Sequence, residues 1–272
     1  MSDYSLGHGK VMMQRFKQRA ETDGCRFIEP VLPETGVVVD VGCGNGALAS
    51  WVANSNESVN VFALDKELNQ LSLTQVLQTN LFYIESDAYA LSLTDNSVDL
   101  IYLHAVCMYL VPLSTVLEEC NRVLKIGGQI ALRNGLSVVN NMELFVNGEL
   151  LSKVLNHSLR KNSDNPNIAF TIPDILKSMH FYEISTNTSI ESSRSIEEIQ
   201  QVANSTIELL DGKIGNDALQ ENIITANELE ELKMGIKEWS MDNKAYNKAV
   251  WIEHIYIKVK KYDRNSKLAC KI

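Results

Sequence analysis

Three glycines, Gly42, Gly44 and Gly46, alternate with other residues between an apolar run and a helix-like segment in "VVVDVGCGNGALASWV". A strand that leads through glycines into a helix brings backbone N–H groups and the positive end of the helix dipole to one point. We therefore expect this loop to offer free N–H groups to an anionic or carboxylate-bearing cofactor. Nicotinamide enzymes use G-x-G-x-x-G, whereas the spacing here is G-x-G-x-G, with Asp40 two residues before the first glycine. A tight turn without a ligand is the alternative.

Two further acids follow the next apolar runs. Asp65 ends the second run in "VFALDKE", and Asp87 follows the third in "IESDAYAL". A carboxylate at the end of a parallel strand can accept both hydroxyls of a ribose, which is the use we expect for Asp65. Either acid could instead cap a helix. Cys43, inside the glycine loop, is better explained as a small filler than as a reactive thiol, although a helix N-terminus favours thiolates.

The elements that must position these residues alternate between short apolar runs and helix-like stretches, which is typical of a parallel sheet covered by helices on both faces. The pattern predicts strands at Val37–Val41, Asn60–Leu64, Leu81–Glu85, Val98–Leu103 and Gln129–Asn134. It predicts helices at Ala47–Asn54, Lys66–Thr79 and Leu113–Leu124. Beyond Asn134 the pattern becomes mixed, and "RKNSDNPN" is expected to form a surface loop.

A sixth helix and strand are predicted at Ile172–Met179, with Pro173 in the first helical turn, and at Tyr182–Ser189. A second helical block runs from Ser195 to about Asn243 and contains two capping-box spacings, Ser195 with Glu198 and Thr225 with Glu228. The segment "WIEHIYIKVKKY" alternates as a last strand would. We thus expect one domain with an α/β fold, a Rossmann-like, doubly wound, mostly parallel seven-stranded sheet. Its core would comprise residues 25–135, 172–190 and 252–262, and a helical cap over the carboxyl ends of the strands would comprise 1–24, 136–170 and 195–250.

Composition and net charge limit the kinds of partner and the cellular location that we expect for this protein. The 272 residues carry a formal net charge of −9, which works against binding a phosphate backbone, so nucleic acid is not an expected partner. Five cysteines without C-x-x-C spacing indicate reduced thiols and a cytoplasmic location. We find neither an apolar leader nor a run of roughly eighteen apolar residues, so stable membrane insertion is not expected either.

These segments in this order resemble the class I S-adenosylmethionine-dependent methyltransferases. The glycine loop is similar to the family's first motif, and "LTDNSVDLIYLHAVCMYL" and "LEECNRVLKIGGQIALRN" resemble its fourth and fifth strands with their connections. The resemblance covers Tyr4 to Asn134 and is strongest to the small-molecule, UbiE-like biosynthetic subgroup. Ile126 replaces a common proline, and Met108-Tyr109 replaces a frequent Glu-His pair.

The resemblance implies S-adenosyl-L-methionine as cofactor and S-adenosyl-L-homocysteine as product. By resemblance, Asp87 and Ala88 would meet the adenine, Tyr4 would line the site under a closing N-terminal segment, and Arg15 would help to hold a carboxylate. The expected cofactor-binding residues are Tyr4, Arg15, Asp40, Gly42, Cys43, Gly44, Asn45, Gly46, Asp65, Lys66, Asp87, Ala88 and His104.

Methyl transfer from a sulfonium is an in-line displacement, so a base is needed only when the acceptor must lose a proton. His104, directly after the fourth strand, is the candidate base, and a packing histidine is the alternative. Tyr109 could orient the acceptor or lend its ring face to the sulfonium, or it could simply belong to the core. The other histidines show no metal-ligand spacing, and no metal site is expected.

The acceptor is expected to be a small molecule such as a secondary metabolite, quinone or lipid-like precursor, because the lid-sized insertions could enclose it away from water. The absence of an N-P-P-Y or D-P-P-Y stretch argues against DNA and amide nitrogen as acceptors. Three alternatives stay open: a protein methyltransferase, a catalytically silent cofactor-binding or regulatory module, and a nicotinamide oxidoreductase, which the glycine spacing disfavours. The chain could be a monomer or a homodimer.

Overall fold

A single sheet forms the centre of the computed structural model, which describes residues 26–68, 78–136, 141–143, 147–162 and 168–260. The described strands are β1 Gly36–Val41, β2 Val59–Asp65, β3 Leu81–Glu85, β4 Val98–His104, β5 Leu124–Gly135, β6 Asn141–Glu143, β7 Phe181–Ser193 and β8 Tyr246–Lys258. The long strands lie in the order β3-β2-β1-β4-β5-β8-β7, and the short β6 pairs with the first residues of β8. Strands β1 to β5 pair in parallel, whereas β8 is antiparallel to β5 and β7. The predicted seven-stranded, mostly parallel sheet is confirmed, and β6 is a short addition that the sequence analysis missed.

Helices cover both faces of this sheet. The described helices are α1 Ala47–Ser55, α2 Leu113–Val123, α3 Gly148–Asn162, α4 Ile168–Ser178, α5 Ile196–Asp211, α6 Lys213–Gln220 and α7 Ala226–Trp239. The buried side of α1 packs with Val38, Val61 and Leu100 on one face. The buried sides of α2 and α4 pack with Val39 and Ile101 on the other face. Each face is continuously apolar because parallel strands are buried on both sides, and the doubly wound arrangement is therefore confirmed.

Helices α3, α5, α6 and α7 form a third apolar cluster of their own. Helix α5 follows the end of β7, and α7 precedes the start of β8. Because β8 is antiparallel to both β5 and β7, both helices connect to the sheet at the edge where β1 to β5 end. Helix α3 contacts the turn Cys107–Tyr109, which follows β4. Both predicted capping boxes are present, at Ser195 and at Thr225. The predicted cap segment 136–170 is divided, because α3 joins this cluster whereas α4, which begins at Ile168, packs on the sheet.

Pro173 lies in the interior of α4 and not in its first turn, because the helix begins at Ile168. Proline has no N–H, so the carbonyl of Ala169, four residues earlier, receives no helical hydrogen bond at that position. Nε2 of His254, in β8, lies 2.7 Å from this oxygen, and Thr186 Oγ1 lies 3.1 Å from His254 Nδ1. Burial lowers the pKa of His254, which favours the neutral ring. The prediction that Pro173 lies in the first helical turn was wrong. The helix can contain this proline because His254, from a distant strand, lies within hydrogen-bonding distance of the carbonyl of Ala169.

Strand β5 begins at Leu124, five residues before the predicted Gln129. Leu124 pairs with Val98 and Gln129 with Leu100, so the glycine pair Gly127-Gly128 lies in a bulge between them. Much of the predicted helix Lys66–Thr79, the N-terminal segment 1–24 and part of the predicted loop "RKNSDNPN" lie outside the described residues. Within the described part of the chain, no helix has the length and apolar character needed to cross a membrane.

Candidate active site

The glycine loop connects β1 to α1 in a backbone conformation that favours glycine. The φ angles of Gly42, Gly44 and Gly46 are 74°, 54° and 72°, all in the left-handed region. A Cβ at Gly42 would lie 2.6 Å from Val106 Cγ2, and a Cβ at Gly46 would collide with the ring of Tyr83. The loop is therefore packed closely between β3 and the turn after β4, at the carboxyl ends of the parallel strands, where open α/β sheets bind their ligands.

Most amides of this loop are already hydrogen-bonded within the protein. Five of them donate: Gly42 N and Cys43 N to Leu64 O, Gly44 N to Asp65 Oδ2, Gly46 N to Cys43 O, and Ala47 N to Asn45 Oδ1. The expectation of free N–H groups is thus wrong for these positions, because the loop folds back onto the end of β2. What the loop offers a cofactor is its shape, the positive end of α1 and the adjacent carboxylate of Asp65.

Asp65 joins the glycine loop to the end of β2. Its Oδ2 accepts from Gly44 N at 3.0 Å and its Oδ1 accepts from Glu67 N at 3.0 Å. An ionised carboxylate has about four acceptor positions, so these two bonds hold the group in place and leave capacity for further donors. The half-buried Asp65 can therefore accept further hydrogen bonds, and its contact with hydroxyl groups of a cofactor stays a prediction.

Asp40 occupies a different environment, inside β1 and only 2% exposed. Burial raises the pKa of this carboxyl to about 8; a hydrogen bond with Tyr102 opposes the shift, and the charge of Asp65 adds to it. At neutral pH the side chain is thus largely protonated. This placement favours a structural role for Asp40 beneath the loop over the predicted contact with the cofactor.

The remaining predicted cofactor residues are spread around the same edge. Asp87 is exposed, and its Oδ1 accepts from Tyr89 N at 3.0 Å in a local turn. Ala88 packs against the core, and Lys66 is exposed. Cys43 is buried, and burial raises the pKa of its thiol, as expected for a filler. Tyr4 and Arg15 lie outside the described residues.

His104 is the last residue of β4 and lies opposite Arg133 of β5 in the parallel register. Its Nε2 is 3.0 Å from Arg133 NH1. The ring stacks on Trp251 with centroids 5.6 Å apart and meets Phe27 at 5.9 Å. Tyr102 of β4 pairs with Asp40 of β1, so His104 lies at the edge of the sheet where the glycine loop follows β1. Tyr109 is half-buried in the turn two residues beyond Cys107.

Arg133 is the centre of a polar cluster that the sequence analysis did not identify. Its side chain is 1% exposed and lies 3.0 Å from Glu253 of β8 and 3.0 Å from Glu191 of β7. Its guanidinium carbon lies 4.3 Å from the centroid of the Trp251 ring. The signal in the sequence is an arginine inside "QIALRNG", because arginine is almost never fully buried without partners.

Solved structures share this architecture: a proposed methyltransferase from Bacillus halodurans C-125 is 15% identical and matches with a TM-score of 0.58, covering 88% of this chain and 100% of its own. Geranyl diphosphate C-methyltransferase from Streptomyces coelicolor A3(2), solved with Mg²⁺, geranyl diphosphate and S-adenosyl-L-homocysteine, is 13% identical with a TM-score of 0.51, over 95% of this chain and 88% of its own. At these identities the likeness shows the fold, which is the Rossmann-like methyltransferase fold.

The sequence comparisons match one segment of the chain to a methyltransferase domain. Residues 39–132, from β1 to β5, match the family described as "Methyltransferase domain". Malonyl-[acyl-carrier protein] O-methyltransferase of Erwinia billingiae (strain Eb661) is 36% identical over 94 residues, which are 34% of this chain. The match spans 36% of that relative's length. Residues 39–132 are therefore similar to the methyltransferase family that the sequence analysis expected, whereas the UbiE-like subgroup stays a prediction.

Proposed function

We propose that the protein transfers a methyl group from S-adenosyl-L-methionine to a small-molecule acceptor. The observation that carries this proposal is the hydrogen bond from Gly44 N to Asp65 Oδ2, which fixes a carboxylate next to a close-packed glycine loop. The Gly42 and Gly46 positions fit the family's first motif because a side chain at either would meet Val106 or Tyr83. S-adenosyl-L-methionine, when bound, supplies a methyl group already activated by its sulfonium.

The residues of this chain then have distinct tasks. Asp65 accepts the ribose hydroxyls with the lone pairs that its two backbone bonds leave over, and Asp87 and Ala88 lie at the end of β3 for the adenine. The glycine loop and Asn45, which accepts a hydrogen bond from Ala47 N, shape the N-terminus of α1 that would face the methionine part of the cofactor. Cys43 is buried and fills space inside the loop. Lys66, Tyr4 and Arg15 stay predictions by resemblance. Tyr109, in the turn that contacts α3, is proposed to face the acceptor.

A small acceptor is supported by the four-helix cluster at the edge where β1 to β5 end. Such a cluster can surround a small molecule and exclude water from the reaction. The net charge of −9 argues against a nucleic acid. By their names, one relative described above acts on malonyl-[acyl-carrier protein], in which a carrier protein bears the malonyl group, and the other acts on geranyl diphosphate. We propose the cytoplasm as the site of action, since Cys43, Cys107 and Cys120 are free and buried.

The test is isothermal titration of the purified chain with S-adenosyl-L-homocysteine, with NAD as the comparison ligand. We expect saturable binding of S-adenosyl-L-homocysteine alone. Asp65→Asn should weaken that binding at least tenfold, because a lost charge-assisted hydrogen bond to a hydroxyl is worth about 1.5–3 kcal/mol. Asp211→Asn is the matched control, since Asp211 is a surface acid 2.6 Å from Lys233 in the cap. Binding of NAD alone would replace the proposal with an oxidoreductase.

If a folded protein binds S-adenosyl-L-homocysteine with the same affinity in wild type and Asp65→Asn, the assignment of Asp65 is wrong although the cofactor is right. If the cofactor binds but methyl-tritiated S-adenosyl-L-methionine transfers no label to a metabolite extract, a catalytically silent module replaces the enzyme. Label found on protein instead of small molecules would show a protein methyltransferase.

A further inference from the structure

The contact between Arg133 and His104 constrains where the imidazole can carry its proton. Arg133 NH1 lies 3.0 Å from His104 Nε2. A guanidinium has only donors and does not lose its proton in proteins. Nε2 must therefore accept with its lone pair, and the proton of the neutral ring must lie on Nδ1.

The surroundings hold the guanidinium in place for this contact. Arg133 Nε donates to Glu253 Oε1 at 3.0 Å, and NH2 lies 3.0 Å from Glu191 and donates to Ser189 Oγ at 3.4 Å. Ser189 Oγ in turn donates to Glu253, which holds the carboxylate. With its side chain 1% exposed, Arg133 cannot rotate away without breaking its contacts with both carboxylates, which is costly in a buried site.

The ring of His104 is also fixed by aromatic contacts. It stacks on Trp251 with an angle of 19° between the planes, and Arg133 lies over the same Trp251 ring. Phe27 meets His104 from another side. The charged groups on the Nε2 side of the imidazole include Arg133 in direct contact and, beyond it, Glu253 and Glu191. The group in contact with Nε2 is a guanidinium, which can only donate.

We propose that Arg133 is a positioning residue that holds His104 as the Nδ1–H tautomer, so that His104 acts as a hydrogen-bond donor and not as the general base. This inference rests on the proposed function. If Nε2 of His104 is not a base, the acceptor belongs to a class that does not need His104 to remove a proton. Such an acceptor brings a nucleophilic atom with an available lone pair, as a carboxylate, a thiolate or an uncharged amine does. The prediction of His104 as the base is replaced by this role.

The test reads the tautomer in the full chain, without any ligand. Long-range proton–nitrogen correlation spectra of protein labelled with ¹⁵N-histidine distinguish the ring nitrogen that carries a proton from the one that does not, and His104→Asn identifies the signal by its loss. We expect His104 at pH 8 to carry its proton on Nδ1. A proton on Nε2 in the wild type would overturn the proposal.

A variant separates positioning from packing. Arg133→Met alone would remove the cation that faces both carboxylates, so the paired variant Arg133→Met/Glu253→Gln removes one charge of each sign. In that variant we expect His104 to shift toward the Nε2–H tautomer, which free histidine prefers. Arg194→Met is the matched control, because Arg194 is exposed and lies over Tyr246, away from His104.

Unchanged His104 signals in the paired variant would refute the role of Arg133. Because the spectra need no cofactor, failure of S-adenosyl-L-homocysteine to bind would remove the proposed function while leaving the tautomer result intact. The two failures are therefore distinguishable.

Discussion

Replacing Asp40 by asparagine should change how the stability of the protein depends on pH. Asp40 is 2% exposed, and burial raises the pKa of its carboxyl from 3.8 to about 8. The folded protein thus keeps a proton that the unfolded chain has already lost. The stabilisation from the protonated form is complete below pH 3.8 and is lost as pH rises toward about 8.

The magnitude follows from the linkage between protons and folding. Across this window the folded state binds one more proton than the unfolded state, so the free energy of unfolding falls by about 1.4 kcal/mol per pH unit from this group. Between pH 5 and pH 7 the wild type should lose about 3 kcal/mol that Asp40→Asn does not lose. Asparagine is neutral and similar in shape, so it removes the titration without removing the packing.

The assay is urea denaturation of both proteins at pH 5, 6 and 7, with Asp211→Asn as a control whose acid is 58% exposed. The wild-type and Asp40→Asn curves should converge toward low pH and separate toward pH 7. Affinity for S-adenosyl-L-homocysteine should change less than threefold, since the carboxyl lies below the loop. Parallel pH curves for wild type and variant would refute the reasoning about burial, and a large loss of affinity would restore the direct contact with the cofactor.

Two further predictions concern the backbone of the site and of the cap. Gly46→Ala should destabilise the fold by more than Gly127→Ala. Both glycines have left-handed φ values, which cost an alanine about 1–2 kcal/mol, but only at Gly46 would the new Cβ meet another side chain. Urea midpoints compare the two variants, and equal losses of stability would show that Tyr83 moves aside freely. Ser195→Ala should cost about 1 kcal/mol of stability, since Ser195 Oγ accepts from Glu198 N at 3.2 Å as the cap of α5; an unchanged midpoint would mean that the helix end is satisfied by solvent.

Local patterns in the sequence predicted much of the fold. The glycine loop, the strand that precedes it and the two capping boxes depend on residues a few positions apart, so composition and spacing were sufficient. The boundaries failed where the stabilising partner was distant. Pro173 lies inside α4 because a histidine from β8 lies within hydrogen-bonding distance of the carbonyl that the proline leaves without its helical donor, and no local pattern contains that contact.

The difference between local patterns and distant partners also explains which parts of the candidate site could be predicted. Asp65 follows directly from its place at the end of β2, next to the loop. The Arg133 cluster requires the antiparallel register of β5, β8 and β7, which brings Arg133 opposite Glu253 and Ser189 opposite Trp251. Sequence spacing shows a buried arginine in a strand but cannot show which carboxylates lie beside it.

The glycine loop also shows why a correct motif can predict the wrong chemistry. Its amides were expected to be free for an anion, yet five of them are used to fold the loop onto β2 and to begin α1. Glycines permit that close fold, and the fold presents the carboxylate of Asp65 at a fixed position. A site built in this way has an acid available for hydroxyl donors and few amides available for an anion. This fits the proposal of a nucleoside at the end of β2, and Asp65 is therefore the residue to change first.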